Sequence, residues 1–143
     1  MLDKNSIQVG DKTLTGKKVL IASGGRPEIG LFPGLEKALT SDDILNLKET
    51  PKSLGILGSG YIATEFACIM ANLGVNVNLF YRAEHPLRNF DQDIRIKMEA
   101  NFKTLGINLF PKSNFIEIQR KNESFKLHTN HGSQEFTLIL NAL

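Results

Sequence analysis

Apolar residues along this chain fall into short blocks whose period changes from one block to the next. Ser53 to Leu57 (SLGIL) is a continuous apolar run of strand length. After Gly58-Ser59-Gly60, apolar residues recur at Ile62, Phe66, Ile69, Met70 and Leu73, the spacing of one helical face, with Gly74 as the stop. Val75 to Tyr81 alternates and then becomes fully apolar, which predicts a strand. This strand–turn–helix–strand unit is about thirty residues long, too long for a hairpin and suited to a right-handed parallel crossover.

A second helix is predicted from about Asp91 to Leu105, with Asp91 as N-cap and Gly106 as stop. Its apolar face is Ile94, Met98, Phe102 and Leu105. Ile107 to Phe110 reads as a strand. The pattern then shortens to period two: Asn114 to Arg120, Ser124 to Thr129 and Gln134 to Thr137 predict an antiparallel meander split by Lys121-Asn122 and Asn130-His131-Gly132. The last run, Phe136 to Leu143 (FTLILNAL), returns to the parallel sheet up to Ala142.

Before Ser53 the signals are weaker. A hairpin or turn leads to a predicted buried strand, Val19 to Ala22, ended by the breakers Gly24-Gly25-Arg26-Pro27. A Gly- and Pro-containing connection, Arg26 to Gly34, follows. Ser41 is the expected N-cap of a short helix through about Leu47, and Pro51 closes that region. The fold these elements predict is α/β: a Rossmann-like doubly wound parallel sheet in which an antiparallel three-stranded meander replaces one crossover helix.

Composition narrows the partners. A chain of 143 residues, 41% hydrophobic and 22% charged, suffices for one soluble core. The net charge of +2 is too small to point to nucleic acid or a membrane surface. No apolar run approaches the ~20 residues of a bilayer span. The polar N-terminus lacks a signal core, so a cytoplasmic protein is expected. The single cysteine, Cys68, has no disulfide partner and reads as a small core residue in a reducing compartment. His128 and His131 show no ligand spacing and no metal is expected; both are read as surface residues. The apolar C-terminal run has no closing turn, so the chain is expected to be a piece of a longer one.

The chemistry concentrates at two places. In Gly58-Ser59-Gly60-Tyr61-Ile62-Ala63, Gly58 permits a tight turn and Gly60 lets a pyrophosphate approach the backbone, while Ala63 lets helix pack on strand. The helix N-terminus offers amides and partial positive charge to phosphates. At the end of the next strand, an NAD-binding unit carries an acid for the ribose 2′-hydroxyl. This chain has Arg82 there, with Arg88 six residues on, beyond a Pro-containing loop that also holds Glu84 and His85. Two guanidinium groups suit a 2′-phosphate, which points to NADPH, with His85 assisting. Glu84 is the one carboxylate of the loop that could instead reach a ribose.

Gly58-Ser59-Gly60-Tyr61-Ile62-Ala63-Thr64-Glu65 resembles the NADPH-binding signature of the pyridine nucleotide–disulfide oxidoreductases, and the Arg82/Arg88 pair resembles that of the glutathione reductases. Val19 to Pro27 (VLIASGGRP) resembles the family's second flavin-contacting stretch, with Ser23 where threonine is commoner. The resemblance implies that residues 1–28 end an FAD-binding region, with Ala22, Ser23 and Gly24 at the flavin's edge, and that residues 29–143 form the NAD(P)H-binding domain. It implies that Tyr61 covers the flavin ring and that Glu65 lies beside the nicotinamide, where some burial is expected. Ser59 and Ile62 would line the dinucleotide and Leu143 would border its nicotinamide end. The implied activity is NADPH-dependent reduction of a small-molecule disulfide through FAD, in a protein whose parent is a homodimer and whose isolated piece is a monomer. Mercuric, trypanothione and dihydrolipoamide-type reductases are the enzymatic alternatives, and a non-catalytic dinucleotide-binding module is the other. The first flavin motif and the C-x-x-x-x-C pair of such enzymes are absent from this stretch, so no catalytic residue is assigned beyond the Tyr61/Glu65 gate.

Overall fold

The computed structural model describes every residue from Met1 to Leu143. Its elements are β1 (Ser6–Val9), β2 (Lys12–Thr15), α1 (Ser41–Ile44), β3 (Ser53–Leu57), α2 (Tyr61–Asn72), β4 (Asn76–Phe80), α3 (Gln92–Thr104), β5 (Asn108–Phe110), β6 (Phe115–Lys121), β7 (Ser124–Thr129), β8 (Gly132–Phe136) and β9 (Leu138–Asn141).

The apolar run of β3 is explained by its place inside a parallel sheet of order β5-β4-β3-β9. A central strand covered on both faces has no position for a polar side chain. Leu54 and Ile56 join Val77, Leu79 and Leu140 in the core beneath α2 and α3. Leu57, Phe80 and Ile139 point the other way, into a second core shared with Ile118, Leu127 and Phe136 of the meander β6-β7-β8. The meander therefore stands where a crossover helix would, as the alternation predicts. Gly55, inside the strand, gives the Phe136 ring its room: a Cβ would lie 3.0 Å from that ring and push it aside. Phe80 in turn stacks on Phe110 at 4.5 Å and meets Phe136 edge-on at 5.9 Å.

Both long helices end as their glycines predict. Gly74 and Gly106 adopt φ of 82° and 74°, and Val75 and Ile107 donate back to Met70 and Phe102 across them.

Four expectations need correction. Val19 to Ala22 is not a strand; Leu20 is 89% and Ile21 71% exposed, because no strand of this chain runs beside them to satisfy their backbone. The cap of α1 is Thr40, not Ser41, in a reciprocal capping box with Asp43, and the helix stops at Ile44 rather than Leu47. The face of α2 that meets the sheet is Ala63, Ala67 and Met70, whereas Ile69 and Leu73 are exposed. The small residues win because only they let the helix approach the strands closely. On α3, Phe102 is buried with Met98 and Leu105 packed beside it, but Ile94 is half exposed, since the short strand β5 next to the helix offers little surface to cover its first turn.

Candidate functional site: a cavity at the carboxyl ends of the parallel strands

The Gly58-Ser59-Gly60 turn leaves β3 where β4 and β9 also end. Gly58 has φ 119° and donates to the Phe80 carbonyl at 2.9 Å. A Cβ on it would lie 2.1 Å from the carbonyl oxygen of Ala142, so strand closure demands glycine here. Gly60 differs: its φ is −71° and nothing lies within 4 Å of the Cβ it lacks. That missing side chain faces open space at the start of α2. No side chain caps this helix, so its first-turn amides remain available to an anion.

In front of the turn is a cavity of about 520 Å³, walled by Gly58–Gly60, Tyr81–Ala83 and Arg88, with Glu28, Leu31, Ala142 and Leu143 closing it. It lies where strand order reverses, β4 following β3 on one side and β9 on the other. Arg82 and Arg88 are exposed on its wall, and Arg82 places its guanidinium 6.0 Å over the Phe115 ring. Neither forms an ion pair within the chain. Glu84 points elsewhere and pairs with Lys112 at 3.4 Å, so the loop's own carboxylate does not line the cavity. Glu28 does line it; nothing in its sequence neighbourhood marked it.

The loop's shape depends on residues that carry no sequence signal. Leu87 is 5% exposed and holds φ 53°, with its N–H donating to the Ser59 carbonyl at 2.8 Å. His85 does not reach the cavity. Its Nδ1 lies 2.8 Å from Glu99 Oε2 on α3, so His85 is a contact between loop and helix rather than a cavity-wall residue. That hydrogen bond, ahead of Lys103, holds the Glu99 carboxyl below the ordinary carboxylate range.

A second cavity, about 510 Å³, adjoins the first through Leu143 and Ala142 and is lined by Gly25–Glu28, Tyr61, Ile62 and Asn141. Asn141 orders this corner: its amide donates to the Glu28 carbonyl at 2.8 Å and its oxygen accepts from Leu143 N–H at 3.2 Å. Tyr61 is 62% exposed beside it. Glu65 is exposed and lines neither cavity, because residue 65 falls on the outer side of the turn whose inner side is Ala63 and Ala67; the expected burial is not found. Ala22, Ser23 and Gly24 are exposed and line neither. Cys68 is half-buried against the core, and burial pushes its thiol above the ordinary value. No helix is long and apolar enough to cross a membrane.

The family model described as pyridine nucleotide-disulphide oxidoreductase matches residues 1–142. The chain belongs to that family. A glutathione reductase of Nostoc sp. is 39% identical over 135 residues, 94% of this chain and 29% of that protein. A mercuric reductase of Staphylococcus aureus is 32% identical over 94% of this chain and 25% of its own length. The chain thus spans less than a third of the length of these curated relatives. Among solved structures, the HOCl-induced flavoprotein disulfide reductase RclA of Escherichia coli superposes with TM-score 0.84 at 28% identity, over 99% of this chain and 34% of that one. The mixed architecture of parallel sheet and antiparallel meander is that of the flavoprotein disulfide reductases.

Proposed function

We propose that residues 29–143 are the NADPH-binding domain of an FAD-dependent disulfide reductase, and that residues 1–28 end its FAD-binding region. The observation that carries the cofactor choice is that Arg82 and Arg88, neither held in an ion pair within the chain, line the same cavity as the glycine turn. Gly60 leaves room for a pyrophosphate against the backbone, and the amides at the start of α2 donate to it. Arg82 and Arg88 bind a 2′-phosphate, which an acid at position 82 would repel. Ser59 and Ile62 line the dinucleotide, and Leu143 borders the nicotinamide end. Tyr61, in the adjoining cavity, covers the flavin ring. Glu65 lies beside the nicotinamide and Ala22, Ser23 and Gly24 at the flavin's edge, all four outside the two cavities of this chain. His85 assists phosphate binding indirectly, through the loop that carries both arginines.

When bound, NADPH supplies hydride to FAD, whose reduced form opens a disulfide. The chain's own contribution is binding, orientation and the exclusion of water. Glutathione disulfide is the proposed substrate, supported by the greater identity to a glutathione reductase than to a mercuric reductase. The parent is proposed to be a cytoplasmic homodimer and this piece alone a monomer. Calorimetric titration with NADPH and with NADH tests the reading. Preference for NADPH supports it; preference for NADH would overturn the arginine argument and move the parent toward the dihydrolipoamide type.

A further inference from the structure

The stretch from Arg82 to Arg88 is a loop, and two guanidinium groups can grip one phosphate only if the loop holds them at a set separation. Few of its own backbone groups do this: Ala83 accepts from Lys112 N–H at 3.2 Å, and Leu87 donates to Ser59. The middle of the loop is gripped from outside. Arg95 on α3 donates through Nε to the Pro86 carbonyl at 2.9 Å and through Nη2 to the His85 carbonyl at 3.2 Å. One turn further along, Glu99 takes the His85 ring at 2.8 Å and is itself steadied by Lys103 at 3.0 Å. Positions 95 and 99 share a helix face, so both side chains address His85, and Arg95 also holds Pro86.

We propose that Arg95 and Glu99 are positioning residues for cofactor selection: α3 acts as a clamp that fixes the spacing of Arg82 and Arg88 for a 2′-phosphate. The inference rests on the NADP(H) reading above. Arg95 is a third cation near the loop, yet it does not line the cavity. A planar fork bonded to two successive carbonyls holds a backbone rather than a ligand. Nor does the clamp merely dock the helix, because Phe102, Met98 and Leu105 supply the apolar packing. A loop ordered before binding spares the cofactor the entropy of ordering it. NADH, which has no 2′-phosphate, gains nothing from that order. Selectivity between the two cofactors is therefore the readout.

The test is calorimetric titration of wild-type protein, Arg95→Met, Arg95→Lys and Glu99→Gln with NADPH and with NADH. Arg95→Met keeps the side-chain stem, and Glu99→Gln keeps the shape of the acid. Arg95→Met is expected to weaken NADPH about tenfold and leave NADH within about twofold, the scale of one net hydrogen bond, since only the part of the lost grip that orders the loop enters the binding constant. Glu99→Gln is expected to weaken NADPH by roughly threefold, and Arg95→Lys to recover part of the loss, since an ammonium lacks the fork. Equal weakening of both cofactors in the variants, or no weakening of either, would overturn the clamp while leaving the wild-type preference for NADPH intact. A wild-type protein with no such preference would overturn the cofactor reading itself and the clamp with it.

Discussion

The backbone N–H of Leu87 donates to the carbonyl of Ser59 at 2.8 Å, joining the arginine loop to the glycine turn. Leu87 holds φ 53° to make this bond, a conformation that costs a branched residue roughly 1 kcal/mol or more. Burial of its side chain at 5% exposure offsets the strain. Leu87→Ala should therefore destabilise the protein by about 2 kcal/mol in urea unfolding. A change below about 0.5 kcal/mol would mean the side chain does not anchor the loop.

The two glycines of the turn should respond differently to one methyl group. At Gly58 a Cβ meets the Ala142 carbonyl at 2.1 Å, and the backbone is already at φ 119°. Gly58→Ala should cost several kcal/mol, on the order of 3 or more, and lower the melting temperature markedly. At Gly60 the added methyl meets open space, so Gly60→Ala should shift stability by less than about 1 kcal/mol. Yet it should weaken NADPH and NADH alike, because it fills the place proposed for the pyrophosphate. Unchanged affinity in a folded Gly60→Ala protein would remove the dinucleotide from that position.

Arg82→Glu should weaken NADPH more than NADH, by roughly 1–3 kcal/mol, the scale of losing one charge-assisted contact. Parallel titrations of the two cofactors check this. Equal losses would show that Arg82 does not read the 2′-phosphate.

Asn78 bridges the sheet and the meander. Its amide donates to Gln134 at 2.8 Å and its oxygen accepts from Asn108 at 2.8 Å, with the side chain 9% exposed. Asn78→Ala removes both bonds; Gln134, half-buried, loses its partner, while Asn108 is exposed and keeps Asn76 Oδ1 at 3.4 Å, so the change should cost about 1–2 kcal/mol in denaturant unfolding. An Asn78→Ala midpoint equal to wild type would show that this polar link is not a stabilising one.

Tyr81 lies 1% exposed with its hydroxyl enclosed and unpartnered. Burial, reinforced by the Glu99 charge, pushes its phenol up to about 12 from 10.0. The unfolded chain releases this proton near the lower value and the folded chain near the higher one. Stability is therefore unaffected by this titration below pH 10.0 and falls as pH rises from there toward about 12. Tyr81→Phe removes the orphaned hydroxyl and should raise stability by about 1 kcal/mol near neutral pH. It should also flatten the fall in unfolding midpoint between about pH 9 and about pH 11. A variant less stable than wild type would reveal a partner for the hydroxyl.

The elements with strong periodicity are legible in the sequence. β3, α2, β4, α3 and the meander appear within a residue or two of their expected bounds, because each is built from a repeating local pattern. The glycine turn and the two arginines were legible too, since a tight turn and a cation at a strand end are properties of residue type and order. Glu28 and Leu87 were not legible; their places on and beside the cavity come from chain segments distant in sequence. The same holds for the Arg95 and Glu99 grip on His85, made from a helix ten and fourteen residues on.

What the sequence determined by itself was therefore the α/β order of elements, the phosphate-suited turn and the basic character of the loop after β4. Tertiary structure decided which face of α2 is buried, why Val19 to Ala22 stays exposed, and where each side chain of the arginine loop points. Periodicity reports whether a residue has an apolar side, but not how near the neighbouring surface comes. At Ala63 and Ala67 that distance outweighed the larger hydrophobes, since close packing of helix on sheet rewards small side chains over greasy ones.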